Sequence, residues 1–211
     1  IGYMDSIQNV LLQYWKSFVT DERTRCRLSV NAVASNENEK QTGYFGPGAM
    51  KGIEFLDTIN IKNIATEAAR SAVTMLNAKD CPSGKMPVIM DNGFGGVIFH
   101  EACGHGLEAA AIAKKASVFT DKIGEKIASD KVTAIDDGTI SNSWGSINVD
   151  DEGILAQKNI LIENGVLKNY MVDRFNGNKI GMNLQVLQGV NLINLYQASR
   201  MTNTYIASGT D

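Results

Sequence analysis

Two histidines five positions apart, in His100-Glu101-Ala102-Cys103-Gly104-His105, constrain this chain more than any other stretch. They are the only imidazoles in 211 residues, and a carboxylate adjoins the first. Zinc-hydrolase helices carry a related pattern, H-E-x-x-H, with ligands at i and i+4. Here the second histidine is at i+5. On a regular α-helix five residues turn ~500°, so the two rings would point ~140° apart and could not share an ion. A single π-turn, closed by an i→i+5 bond, returns them to one face. Gly104 and Gly106 lower helix propensity beside the second histidine and make a deformation cheaper. The spacing therefore predicts a deformed helix across 100–105. Val97-Ile98-Phe99 leads into it, and Leu107 with Ala109-Ala110-Ala111 continues a buried helix. An ionisable His–Glu pair inside an apolar segment is costly unless something compensates it, and a metal ion would.

Composition narrows the remaining classes. At 44% hydrophobic there is ample material for a core. Charged residues make up 20% and the net charge is −3, with no Lys/Arg run, so no strong nucleic-acid signature appears and no nucleic-acid partner is expected. Three cysteines, Cys26, Cys81 and Cys103, are an odd count that suits a reducing, cytoplasmic setting rather than a disulfide framework. No apolar run approaches the ~20 residues of a membrane span, and no charged-then-apolar leader opens the chain. The start at Ile1 and the end on Ser-Gly-Thr-Asp read as a piece of a longer protein.

Periodicity places the motif in an α+β chain with antiparallel sheets and hairpins. Residues 1–20 fit a helix through Ile7, Val10, Leu11 and Tyr14, or a strand through 10–12. From Arg27, Leu28, Val30, Ala32 and Ala34 alternate with polar residues as a half-buried strand, broken only at Val33. Residues 43–52 hold four glycines and one proline and read as a loop. Asn60 or Thr58 can cap a helix over roughly 61–78, with a stripe of Ile61, Ile64, Ala65, Ala68, Ala72, Met75 and Leu76. Residues 85–90 read as a short strand, and Asp91 or Asn92 as the cap of the next helix. Further strands are expected over 131–135 and 144–149. Asp136-Asp137-Gly138 and Asp150-Asp151-Glu152-Gly153 read as turns rather than as a hard-cation site, because no EF-hand spacing is present. The clearest hairpin is 159–163, Asn164-Gly165, 166–172, with Asn-Gly supplying a type I′ turn.

Taken together, these stretches resemble the TldD/PmbA family of metalloproteases, its TldD branch in particular. The matching residues are Gln41-Thr42-Gly43, the run from Asp91 to Glu108, Ala116-Ser117-Val118-Phe119, Asp136-Asp137-Gly138-Thr139 and Gly145-Ser146. They continue with Asp150-Asp151-Glu152-Gly153, Leu161-Ile162-Glu163-Asn164-Gly165 and Ser199-Arg200-Met201-Thr202-Asn203-Thr204. The resemblance implies a fragment of the TldD/PmbA fold, a cytosolic zinc peptidase, and a complex of two related subunits, the partner being a TldE/PmbA-like chain or a second copy. Its H-E-x-x-x-H motif maps onto His100 and His105 as Zn²⁺ ligands and Glu101 as the catalytic base. It also implies a single partial unit over 1–211, lacking the family's opening domain and its C-terminal end, where a third, cysteine ligand stands in a glycine-rich stretch. Within the present chain Cys103 and Glu108 are the remaining third-ligand candidates.

The expected reaction is hydrolysis of a peptide bond in a peptide or unfolded protein. Zinc activates water and polarises the carbonyl, while Glu101 moves the proton. The competing reading is an inactive fragment, or a non-catalytic partner subunit acting through protein–protein contact. Residues 183–197 depart from the family pattern. Read back into plausible codons and shifted by one base, they recover the family's Pro-Thr-Gly-Ser-Ser-Arg-Arg-Gln-Ser-Tyr-like run. This predicts a pair of compensating frameshifts bracketing 183–197. Resequencing the source DNA should reveal both, and an uninterrupted frame would refute the idea.

Overall fold

The computed structural model describes residues 1–14, 17–182 and 198–209. The proposed frameshifted stretch therefore lies outside the described residues. The chain divides into two compact units, residues 1–8 with 22–89, and residues 9–21 with 90–211.

Strand β1 is Gly2–Tyr14 and β2 is Ser17–Ser35, followed by β3, Lys40–Phe45, and the short β4, Gly48–Ala49. The order is β1-β2-β3, with β4 also on β2. Residues 2–14 are thus a strand, and the helical spacing of Ile7 and Leu11 is incidental, since both side chains are exposed. The alternation from Arg27 holds: Leu28 is buried while Val33 points to solvent. The glycine-rich 43–52 stretch is not all loop, because Gly43, Tyr44 and Phe45 pair with Ala32, Asn31 and Val30.

Helix α1, Ile61–Leu76, starts where Asn60 accepts a bond from the Asn63 N–H at 3.0 Å. Its buried face is narrower than the sequence stripe. Ile64, Ala68 and Ala72 are buried, whereas Ile61 and Met75 are exposed. The small residues at i+4 and i+8 follow from close approach of β3. A Cβ on Gly43 would lie 2.1 Å from the Ala68 carbonyl oxygen and 2.4 Å from the Ala72 nitrogen. Residues 85–90 form no strand and expose Met86, Val88, Ile89 and Met90, because no neighbouring strand pairs with them among the described residues.

The second unit is built on a sheet of β5 (Ala134–Asp137), β6 (Lys158–Glu163), β7 (Val166–Leu167) and β8 (Thr204–Ile206), in the order β7-β6-β5-β8. All its pairings are antiparallel. Asn164 and Gly165 take φ of 49° and 80°, so the expected I′ turn joins β6 to β7. The return strand is shorter than the sequence suggests, for the chain leaves it at Lys168. Asp136 and Asp137 lie in β5 rather than in a turn. Residues 144–149 form no regular strand; Val149 makes only an isolated bridge to Leu155. The core gathers Phe99, Leu107, Ala109, Ile112, Leu161 and Met171 around the motif. Among the described residues no helix is long and apolar enough to cross a membrane.

Gly43→Ala should destabilise the first unit by about 1–3 kcal/mol, since the added methyl meets helix backbone rather than a movable side chain. Urea unfolding followed by far-UV circular dichroism checks this. An unchanged midpoint would mean that β3 and α1 are less closely packed.

Candidate metal centre

The motif begins on a short α2, Val97–Phe99, preceded by a 3₁₀ turn over Gly93–Gly96. Asp91 and Asn92 do not cap it through a side chain; Asp91 accepts only from the adjacent Asn92 N–H at 2.9 Å. From His100 to Gly104 the helix is a π-turn, closed by the His105 N–H on the His100 carbonyl. This is the i→i+5 bond that the spacing demands. A 3₁₀ turn over His105–Leu107 and an extended Glu108 follow, and then α3, Ala109–Ala113.

The deformation brings His100, Glu101 and His105 together. Their candidate ligand atoms all lie within 4.8 Å of one another, and they form the only such His/Cys/Asp/Glu group among the described residues. The two imidazole rings meet nearly perpendicularly, at 86°, with centroids 4.8 Å apart. His105 Nε2 faces Glu101 Oε2 at 4.0 Å, and both side chains are open to solvent. Two nitrogen donors and a carboxylate on one exposed face suit a borderline transition-metal ion such as zinc. Cys103 does not join them. It packs against the core, and burial pushes its thiol pKa up. Nor is Glu108 free to ligate. Its Oε1 lies 3.1 Å from His105 Nδ1 and its Oε2 accepts from Arg200 at 3.2 Å.

Packing holds the deformed segment on several sides. A Cβ on Gly104 would come within 2.4 Å of the Met201 sulfur, and one on Gly106 within 3.0 Å of the Phe119 ring. Ser117 donates to the Gly106 carbonyl at 2.6 Å. The glycines beside His105 are thus sites of close approach as well as weak helix formers.

Residues 199–204 form a strap beneath the motif. Ser199 N–H donates to Asp173 Oδ2 at 3.3 Å, and Asp173 also caps α4, Arg174–Ile180, through the Asn176 N–H. Asp136 accepts from the Thr202 N–H at 2.8 Å and from both the Thr202 and Thr204 hydroxyls. Asn203 donates to the Asp137 carbonyl at 2.7 Å and to Ser146 Oγ at 2.8 Å. The structural roles of Asp136, Asp173 and Arg200 are absent from a motif-based reading. Asp136 and Arg200 do fall in stretches that carry the family resemblance, though it assigns them no role, and Asp173 has no signal of its own.

Burial raises the pKa of Asp136, although its threonine donors pull the other way. Burial likewise raises Asp150, whose Oδ1 accepts from the Glu152 and Ile154 N–H groups. The acidic loop therefore does turn work, as its composition suggests.

Comparison with known proteins points to a family whose models are described as metallopeptidase domains. Residues 83–211 match the family model described as the PmbA/TldA metallopeptidase C-terminal domain, and residues 17–76 match that of the central domain. The chain belongs to the PmbA/TldD family. It is 39% identical over 200 residues to a metalloprotease TldD homolog of Buchnera aphidicola, covering 92% of this chain and 41% of that relative. It is also 39% identical over 196 residues to a metalloprotease of Methanocaldococcus jannaschii, covering 92% and 42%. The chain thus spans about two fifths of these relatives. Among solved structures, a Thermotoga maritima protein described as a candidate DNA-gyrase modulator superposes with a TM-score of 0.76 at 24% identity, covering 92% of this chain and 42% of that one. TldE from Thermococcus kodakarensis superposes with 0.68 at 19% identity, covering 92% and 43%. These structures share the fold.

A carboxyl whose pKa is raised on folding favours the folded state below its ordinary value near 3.8, and that contribution is lost as pH rises through the raised value. Asp150→Asn cannot ionise, so it should gain stability relative to the parent as pH rises from about 4 to neutral. Thermal midpoints of both proteins across that range test this, and a difference independent of pH would contradict it.

Proposed function

We propose that this chain carries the catalytic helix of a zinc-dependent peptidase, with His100 and His105 as metal ligands and Glu101 as the general base. The observation that carries the proposal is the convergence of these three side chains on one face of a π-turn, within 4.8 Å. The metalloprotease relatives favour the same chemistry.

Bound by the two imidazoles, zinc would polarise a scissile carbonyl and lower the pKa of water toward neutrality. Glu101 adjoins the first ligand without being buried, so its carboxylate can take a proton from the attacking water and return it to the leaving amine. Its Oε2 lies 4.0 Å from His105 Nε2, on the face that the two imidazoles share. The substrate is a peptide or an unfolded protein segment, and the protein acts in the cytoplasm without nucleic acid or membrane. A related TldE/PmbA-like subunit, or a second copy, completes the working assembly, a proposal favoured by the fold shared with the Thermococcus TldE. The third protein ligand is a cysteine beyond residue 211, and the present chain is one partial unit of that enzyme.

In the intact protein Glu101→Gln should retain stoichiometric zinc while peptide hydrolysis falls by about 10²–10⁴-fold. Metal analysis together with peptide turnover checks this. Undiminished cleavage would remove Glu101 as the base, and absence of zinc from the parent protein would remove the metal reading.

A further inference from the structure

Glu108 is 6% exposed and stands where the helix breaks, with φ −72° and ψ 132°. Its backbone is clamped from both sides. Met171 N–H donates to the Leu107 carbonyl at 2.9 Å, and Ala109 N–H donates to the Met171 carbonyl at 2.7 Å. This parallel bridge between Glu108 and Met171 fixes the direction in which the side chain leaves the chain. Its two oxygens then serve two different partners, His105 Nδ1 at 3.1 Å and the Arg200 guanidinium at 3.2 Å.

We propose that Glu108 is the positioning residue that fixes His105 in the Nδ1–H tautomer, with Arg200 holding the carboxylate in place. The inference rests on the metal-site reading above and deepens it. An ionised carboxylate only accepts, so the proton of the Glu108–His105 bond belongs to Nδ1. A neutral imidazole has one N–H, which leaves the Nε2 lone pair unprotonated. Nε2 is the atom turned toward Glu101, on the face shared with His100. Metal-binding histidines are commonly oriented by a carboxylate on the far nitrogen, and here that carboxylate lies only three residues along the chain. With both oxygens engaged, Glu108 supports a ligand and is not one. Among the described residues no carboxylate takes this place beside His100. It leans on the His105 ring instead, so orienting His105 also constrains His100.

The test uses the intact protein, metal-free and labelled with ¹⁵N-histidine, at about pH 8. Long-range ¹H–¹⁵N spectra report the tautomer, with His105 assigned by comparison with a His105→Gln sample. The parent should show the Nδ1–H form at His105. Glu108→Ala should move His105 toward the Nε2–H form and weaken zinc binding about 10–100-fold in a chelator competition. Arg200→Ala should retain the tautomer and weaken zinc less. An Nε2–H tautomer in the parent overturns the proposal, and that spectrum decides even if Glu108→Ala does not fold. Zinc affinity of a folded Glu108→Ala within about twofold of the parent overturns it as well. A parent that binds no zinc but shows Nδ1–H at His105 would fail the metal reading alone, so the two failures are distinguishable.

Discussion

The bond from the His105 N–H to the His100 carbonyl is the interaction on which the candidate metal centre depends. A π-turn widens the helix and gives up regular i→i+4 geometry, so it persists only where surrounding contacts favour it. Those contacts come from distant stretches of the chain. Met201 lies against Gly104, Phe119 lies against Gly106, and Met171 pairs on both sides of Glu108. Phe99 and Leu107, at the two ends of the deformed segment, are both sunk in the core. The turn is therefore imposed by tertiary packing as much as permitted by the local glycines.

A second constraint explains why so many carboxylates sit beneath an apolar helix. The strap of residues 199–204 is irregular at its start, and its backbone N–H groups need acceptors where β8 has not yet begun. Asp173 supplies one to Ser199 and Asp136 one to Thr202. Bonds to charged acceptors contribute roughly 1.5–3 kcal/mol each, set against the cost of desolvating the carboxylate. At Asp136 desolvation outweighs the donors: burial raises the pKa although two threonine hydroxyls and one N–H pull it down. The gain is in uniqueness of placement. Gly145 leaves no room for a side chain against the Thr202 carbonyl, and its N–H donates to Asn203 at 3.0 Å, so the strap has one seat.

What could be seen in the sequence follows the range of the forces involved. The π-turn was legible because 3.6 residues per turn and a five-residue spacing are incompatible with a shared face. The I′ turn at Asn164-Gly165 and the Asn60 cap were legible because each is decided within four residues. Asp136-Asp137-Gly138 misled for the opposite reason. Its composition is that of a turn, yet Asp136 is held in a strand by Thr202 and Thr204, more than sixty residues away. The apolar run at 85–90 has strand propensity, but a strand forms only where a neighbour offers a ladder, and propensity alone cannot supply one. The apolar stripe of α1 is wider in the sequence than its buried face in the fold, because a sequence does not reveal how closely Gly43 lets β3 approach.

The same distinction of range separates the parts of the candidate centre. The residues with a chemical role, His100, Glu101 and His105, fall within six positions and reach solvent. Of the groups that hold the segment, Glu108 and Met171 are buried, while the strap of residues 199–204 is mostly half-buried. This arrangement reconciles access with precision. A ligand that must meet solvent and substrate cannot be fixed by burying its own ring, so its orientation has to come from the atom facing inward. In His105 that atom is Nδ1, and the carboxylate opposite it is 6% exposed. The perpendicular ring contact then extends the constraint from one imidazole to the other, so a single buried carboxylate can order both.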